Sequence, residues 1–497
     1  MQTEIYGVLS PIASLIIFSL LTIPVVDFAK KTAHKNILIL LWFTLVFVLS
    51  SILIANLALQ YYTQINEHPL LNMALYSNSS AIFSSMLIVD AASVYMSIVF
   101  IVVSAITVLY GIFFYMHSSN NFSGRYYALM LLITACVLGA CFSGDFLTLF
   151  IFWEASAASS AFLMLYERSL KSIHATLNYL IMIIIASAFI VFGLSIIYGL
   201  TGTLNFWAVK QALMAFRDKH LLILAFIFMS AGYAIESAVV PFHMWLPDAY
   251  TAAPAPSSAF LSAVIDQGSY YILLRILVYI LTPQKVIDWR FVMAVLSALT
   301  MIVGNLFALI ENDVKRLIAY VCVADVGYNL VAITSVTTLG IMGNLYFFLV
   351  GGLTTALAFM VVGVLNSVGL RSLKDLSGIG RKMPLTSIML LIAALSFSGS
   401  PPFAGLLAKY LVFTSAIESN LTWLAIIGIL TSVLQSAYFL RLIGYMFAKR
   451  NETGIEEPKK PLIPALILSS AIIVLGVYPE IVLALIEPVA WQLQLIA

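Results

Sequence analysis

Long apolar runs fill most of this chain, and short polar clusters separate them. A helix that crosses a bilayer needs about 20 mostly apolar residues. By that rule fourteen segments are predicted to span: 7–29, 36–62, 91–116, 126–143, 146–166, 173–200, 220–240, 257–282, 289–311, 316–337, 341–366, 385–417, 420–447 and 461–485. The turns near 140–146 and 337–341 are very short. The first run is longer than a signal-peptide core and follows Glu4 rather than basic residues, so it reads as a spanning helix. The predicted class is an all-α polytopic membrane protein.

Two of the apolar segments are interrupted by proline. One reads Ala238-Val-Val-Pro241-Phe-His-Met-Trp-Leu-Pro247-Asp248, the other Ser398-Gly-Ser-Pro401-Pro402-Phe-Ala-Gly-Leu-Leu407-Ala-Lys409. Proline removes a backbone donor and frees a carbonyl one turn earlier. In lipid those freed groups must be satisfied by protein or line a wet cavity. The breaks fall in the seventh and twelfth predicted spans, five apart, and similar stretches follow them: Gln267-Gly-Ser-Tyr270 to Arg275, and Gln435-Ser-Ala-Tyr438 to Arg441. The pattern predicts a three-helix segment (1–125), a first five-helix unit (126–282), a second unit (283–450) and a C-terminal helix and tail (451–497). An odd number of spans per unit inverts the second relative to the first. Paired discontinuous helices in inverted repeats are a transporter design; the plainer alternative is that proline is common in membrane helices.

Composition sharpens this picture. Of 497 residues, 62% are hydrophobic and 9% are charged, against about 25% charged in soluble domains. A net charge of +2 does not point to nucleic acid. With the N-terminus outside, Lys210, Arg217, Lys219, Lys285 and Arg290 fall on the outward side; Arg275, Lys409 and Arg441 fall within helices; the other 16 of the 24 Lys and Arg fall inside. That asymmetry follows the positive-inside rule. It predicts both termini outside and a multi-pass protein of the cell membrane. Cys136, Cys141 and Cys322 lack metal-ligand spacing and read as small core residues. His117 and His174 are isolated. No catalytic, metal or cofactor constellation appears.

The charges inside apolar runs are the candidate chemistry. A carboxylate such as Glu154 in mid-bilayer costs about 2.5–3.5 kcal/mol even on lenient scales, so it either moves ions or holds helices together. His243, two residues past Pro241, is a proton-transfer candidate or simply bonds a freed carbonyl. Asp248 reads as a cap or loop brace. Asp325, near Tyr328, either extends a polar row or pairs with a neighbouring helix. Lys315 and Arg316 are consistent with topology signals alone. Asp90 and Asp145 are expected to be solvated at the interface. Arg275 and Arg441 lie deep enough to need partners, Arg275 in its own helix or in another subunit.

Together these residues resemble a known family. Tyr127-Ala-Leu, Gly144-Asp145, Phe152-Trp-Glu154, Tyr198 to Asn205, Val240-Pro-Phe-His-Met-Trp-Leu-Pro-Asp248-Ala, Asp313-Val-Lys-Arg-Leu-Ile-Ala-Tyr320 and Gly399-Ser-Pro-Pro402 to Lys409 are similar to the antiporter-like subunits of respiratory complex I, Mrp cation/proton antiporters and energy-converting membrane-bound hydrogenases. The resemblance covers about residues 85–445. It implies fourteen helices, inverted five-helix repeats, membrane partner subunits and two half-channels joined by ionisable residues in mid-membrane. Glu154 matches the family's fifth-helix glutamate and Lys409 its twelfth-helix lysine. Between them this chain departs. Glu236 stands where the seventh-helix lysine is usual, Asp266-Gln267 where the eighth helix usually carries lysine, and Gly351 and Thr355 at the eleventh-helix His and Lys positions. Close carboxylates at low dielectric do not all ionise. Two readings stand: transport of protons or Na⁺ (hard cations favour oxygen ligands) through Glu154, Glu236, His243, Asp266, Asp325 and Lys409, or a non-pumping structural subunit. A stand-alone secondary transporter is the remaining rival.

Overall fold

The computed structural model describes residues 2–32, 34–67, 86–118, 123–215, 219–280, 289–448 and 456–496. The unit boundaries at 282 and 450, and the charges Arg217, Lys285, Lys449 and Arg450, lie outside the described residues.

The described residues are overwhelmingly helical. The first three helices are α1 (Gln2–Ala29), α2 (Lys35–Glu67) and α3 (Ala91–Ser118). They are followed by α4 (Gly124–Cys141), α5 (Phe146–Met164), α6 (Leu170–Thr201), the short α7 (Phe206–Ala215), α8 (Lys219–Glu236), α9 (Trp245–Ala252), α10 (Ala255–Phe260) and α11 (Asp266–Leu274). Next come α12 (Trp289–Ile310), α13 (Val314–Ser335), α14 (Thr338–Ser367), α15 (Pro384–Phe397), α16 (Ala404–Glu418) and α17 (Thr422–Phe447). The chain closes with α18 (Leu462–Val477) and α19 (Glu480–Ile496). Among the described residues, eleven helices are long and apolar enough to cross a membrane, twelve if the bent α18–α19 pair is one span. Leu20, Phe28, Ile184, Ile310, Leu430 and Val433 turn outward, as the lipid-facing surface of a multi-span membrane protein requires.

The difference from fourteen lies in the two broken segments, whose straight pieces are too short to cross alone. α8 stops at Glu236, four residues short of the expected end, with Ala238 at φ 53° and a cis Val240–Pro241 bond beyond it. The twelfth segment divides into α15 and α16 around Gly399 (φ 69°) and a cis Pro401–Pro402 bond. A Cβ on Gly405 would collide with the Ser396 carbonyl, so the two pieces approach as only glycine allows.

The C-terminal segment also differs from expectation. Instead of one helix over 461–485 there are two, bent by 73° between Val477 and Glu480. Pro479 lacks a backbone donor and restricts Tyr478, which stops α18 there.

Three stretches lie at the centre: α10 to α11, α13 and α14 are almost wholly buried. Between lipid-immersed helices association depends on close packing rather than on a hydrophobic drive. The α12–α13 contact shows this. A Cβ on Gly304 would lie 2.6 Å from the Ala324 nitrogen, and one on Gly327 would lie 2.7 Å from the Met301 nitrogen. The α10–α11 stretch carries π turns at Leu261–Ile265 and Arg275–Ile280. The first ends directly before Asp266, the kind of ladder irregularity often found at functional positions.

Two expectations about interface charges are corrected. Asp90 is not solvated: it caps α3 by accepting from the Ser93 nitrogen (2.6 Å) and pairs with Arg275 at 3.0 Å, both side chains about 4% exposed or less. Arg275 therefore finds its carboxylate 185 residues upstream, not in its own helix or another subunit. It also donates to the Cys141 carbonyl and to Tyr271. Asp145 is buried and caps α5. Arg441 donates to the Leu309 carbonyl and to Asn312. The three cysteines are buried and unpaired.

Candidate functional site

The site is built from helix ends and breaks. Asp145 Oδ1 accepts from the Thr148 nitrogen at 2.7 Å and starts α5, which sets Glu154 on its outward-tilted middle turn. Ser187 on α6 donates to Glu154 Oε1 at 2.5 Å. Trp153, one position earlier, points elsewhere and donates through Nε1 to Glu236 Oε2 at 2.6 Å. Glu236 is the last residue of α8, where the helical ladder stops before the break, and it is 6% exposed. Glu154 lies within electrostatic range of it. Tyr179 and Tyr233 lie within range of both glutamates. Among the described residues, Glu236 Oε1, Ser237 Oγ and Tyr233 OH have no hydrogen-bond partner. A buried polar atom left unsatisfied costs about 1–3 kcal/mol.

The second half is organised around Lys409, which α16 presents after the other break. Its Nζ donates to Gln435 Oε1 (2.6 Å) and Ser432 Oγ (3.0 Å) and sits 4.2 Å from the centroid of the Tyr328 ring. Asp325 on α13 lies within electrostatic range. Tyr328 OH donates to Thr431 (3.2 Å), and Tyr438 OH donates to Asn305 Oδ1 (3.0 Å), which closes a polar cage around the ammonium. Lys409 and Asp325 are 5% and 3% exposed, so a charge on either sits in a low-dielectric interior.

Asp266 lies on the buried central stretch. It opens α11 and accepts a hydrogen bond from Tyr250 OH on α9. Among the described residues its Oδ2, Asp325 Oδ1 and Gln267 Oε1 have no hydrogen-bond partner. Gln267 lies against Gly351, where a Cβ would come within 3.4 Å of its amide. The small residue at 351 thus makes room for Gln267 beside Asp266.

Of the six expected residues, Glu154 and Glu236 are approached through adjoining positions of α5, Asp266 is bonded by Tyr250, and Lys409 sits among Tyr328, Ser432 and Gln435. His243 is buried beside Phe307 and next to the Pro241 backbone, and no member of the row bonds it among the described residues. Asp248 is a brace, paired with Arg316 at 3.0 Å. Lys315 does more than mark topology, donating to the Thr251 and Ala253 carbonyls at the end of α9.

A cavity of about 1850 Å³ opens on this end of α9. Arg125, Arg168, Lys171, Lys315, Arg316 and Arg371, all assigned to one side of the membrane by the alternation of charge, line it together. Isolated bridges likewise join loops that the alternation puts on one side, Leu87 with Ser143 and Asp145 with Asn205. No cluster of three or more His, Cys, Asp or Glu suited to a metal occurs among the described residues.

Sequence reasoning missed Trp153, Ser187 and Tyr250 as partners of the carboxylates. Each sits inside a motif that reads as packing, and only the fold brings it to an acid. Gln435 was visible as the repeat mate of Gln267, but not as the acceptor for Lys409.

Comparison with known proteins matches residues 143–435 to the model of a family described as NADH:quinone oxidoreductase/Mrp antiporter, transmembrane. NADH-quinone oxidoreductase subunit N of Desulforamulus reducens is 31% identical over 408 residues, covering 81% of this chain and 85% of that protein. F(420)H(2) dehydrogenase subunit N of Methanosarcina mazei is 30% identical over 433 residues, covering 84% and 87%. Among solved structures, a chain of the Mrp complex from Dietzia sp. DQ12-45-1b superposes with a TM-score of 0.80 at 22% identity, covering 99% of this chain and 98% of its own. A chain of respiratory complex I from Thermus thermophilus gives 0.72 at 25% identity, covering 95% and 98%.

Proposed function

This chain belongs to the NADH:quinone oxidoreductase/Mrp antiporter family, and from that premise we propose that it is an ion-translocating subunit of a multi-subunit energy-converting membrane complex. It moves protons, or Na⁺, through the row Glu154, Glu236, Asp266, Asp325 and Lys409. His243 serves the approach past the first break. Partner membrane subunits supply the electron transfer or the opposing ion gradient. The chain lies in the cell membrane with both termini outside, as fourteen spans with two inverted five-helix units (126–282 and 283–450) between 1–125 and 451–497.

The observation that carries this reading is the buried Lys409, whose Nζ donates to Gln435 Oε1 at 2.6 Å and Ser432 Oγ at 3.0 Å beside the Tyr328 ring. A buried ammonium depends on nearby partners to keep its proton. When a partner moves away, it releases that proton more readily. A structural brace needs no such titratable ammonium, and an apolar replacement of similar size is often as stable.

The first half favours a second reading at one point. Glu236 stands where the family resemblance implies lysine, so Glu154 there has an acid rather than an ammonium as its neighbour. The non-pumping alternative rests on that. The test is Lys409→Met in the intact complex, reconstituted in sealed vesicles. Loss of ion translocation with assembly and electron transfer retained supports transport; unchanged translocation supports the structural subunit.

A further inference from the structure

We propose that the cavity at the end of α9 binds the phosphate headgroup of an anionic phospholipid, with the acyl chains lying against Phe162 and Ile310. Binding there is independent of ion transport through the row.

Two walls make the cavity, and hydrogen bonds and ring contacts fix both. On one wall Arg125 stands in the first turn of α4, while Arg168 and Lys171 flank the start of α6. Tyr126, beside Arg125, packs its ring 4.5 Å from that of Tyr166, and its hydroxyl bonds Ser257 at 2.8 Å. On the other wall stand Lys315, Arg316 and Arg371. The Val314 nitrogen donates to the Arg371 carbonyl at 3.0 Å, and the Leu373 nitrogen donates to the Asn312 carbonyl at 2.9 Å. The 371–373 loop is thereby pinned to the start of α13.

Pairing within the cavity leaves positive charge over. Arg316 is held between Asp248 (3.0 Å) and Glu311 (3.4 Å), and Lys315 donates to the Thr251 and Ala253 carbonyls. Asp313 accepts from the Arg316 nitrogen and caps α13. Arg125, Arg168, Lys171 and Arg371 are exposed and have no ion pair among the described residues. Glu167 is the remaining acid of the lining. Four cations against one acid suit an anion with several oxygens, and guanidinium groups bind phosphate oxygens in pairs. Basic pockets between membrane helices on the inward side recur as headgroup sites.

Inward loops are also basic for reasons of topology alone, so charge by itself does not separate lipid from solvent. The apolar rim does. Phe162 near the end of α5 is 63% exposed and Ile310 at the end of α12 is 68% exposed. Both line the cavity, which therefore runs without interruption from the basic loops to the lipid-facing surface. Inorganic phosphate gains nothing from that rim, whereas a phospholipid lays its chains on it.

The test is hydrogen exchange of the intact complex, read at 165–172 and 371–375. The complex is placed in nanodiscs of phosphatidylcholine with a rising fraction of phosphatidylglycerol, and in phosphatidylcholine alone with inorganic phosphate. The expected result is slower exchange in both segments as phosphatidylglycerol rises, and no slowing by phosphate. Each basic residue beside an anionic headgroup contributes about fivefold in affinity. Arg371→Gln should therefore raise the fraction needed for half-maximal protection about fivefold. Arg125→Gln/Arg168→Gln/Arg371→Gln should weaken binding about 10²-fold, which removes protection at fractions that saturate the wild type. Arg168→Lys should keep it, and Phe162→Ser should weaken it with every charge in place. Lys459→Gln/Lys460→Gln, outside the cavity, should leave it unchanged. Equal protection by phosphate assigns the site to a soluble anion and overturns the lipid. Exchange indifferent to phosphatidylglycerol overturns the site, as does an equal loss in the Lys459/Lys460 variant, which marks general attraction to a charged bilayer.

Discussion

Asp90→Asn is the most revealing structural perturbation in this chain. Asparagine caps a helix about as well as aspartate, so the substitution keeps the Ser93 cap and the side-chain volume and removes only the charge opposite Arg275. The guanidinium would keep the Cys141 carbonyl, Tyr271 and its place 5.7 Å from the Phe206 ring centroid, and would lose the Asp90 carboxylate. Removing one partner of a buried ion pair costs about 3–5 kcal/mol, because the other charge stays buried and uncompensated. Local opening around the pair should become easier by that amount, which is about 10²-fold or more in rate of amide exchange. The assay is hydrogen exchange of the intact complex, read at the start of α3 and at the Arg275–Ile280 turn. Arg275→Met should show a similar loss, and the double variant Asp90→Asn/Arg275→Met should recover most of it, since a neutral pair leaves no stranded charge. A double variant more labile than either single would refute the reasoning.

Other consequences can be checked alongside. Trp153→Phe removes the hydrogen bond that Trp153 donates to Glu236; it should alter the pH profile of translocation and add nothing further in a Glu236→Gln background, as a double-variant cycle would show. Gly304→Ala places a Cβ 2.6 Å from the Ala324 nitrogen, beside Asp325; overpacking of this kind costs about 1–3 kcal/mol, and translocation should fall more than assembly, measured on the same preparation. Outside the membrane, Asp375 accepts from the Ser372 backbone nitrogen at 2.8 Å, and this bond, then the Ser372 hydroxyl, holds its carboxyl below the usual aspartate range. Its contribution to the 371–375 turn is present above the unfolded value of about 3.9 and is lost as pH falls through the lowered folded value. Exchange of the Ser372 amide should report this, and Asp375→Ala should abolish the pH dependence.

Much of the fold was legible because the bilayer restricts it so strongly. Length and apolarity alone marked the spanning helices, and proline at 241 and at 401–402 marked the breaks. What the pattern hid was tertiary. Asp90 looked like an interface charge because hydropathy places it beside a loop, yet it pairs with a residue 185 positions away. The α18–α19 bend was missed because Pro479 sits in a stretch that remains apolar on both sides. The acids were individually visible as charges that do not belong in lipid. Their grouping was not, because Glu154 and Glu236 are brought together across two helices, and Trp153 and Tyr250 acquire their roles only by facing a carboxylate. Asp325 was the residue left most open: it is buried on α13, with Oδ1 lacking a hydrogen-bond partner among the described residues.

The central claim is that this row conducts, and the ratio of ions translocated per catalytic turnover tests it most directly. The intact complex would be reconstituted in sealed vesicles, in Na⁺-free and Na⁺-containing buffer, and wild type compared with the Glu154→Gln/Lys409→Met double variant. The account predicts a lower ratio in the variant, with turnover in uncoupled vesicles unchanged. An identical ratio in both, with the variant fully assembled, would contradict it.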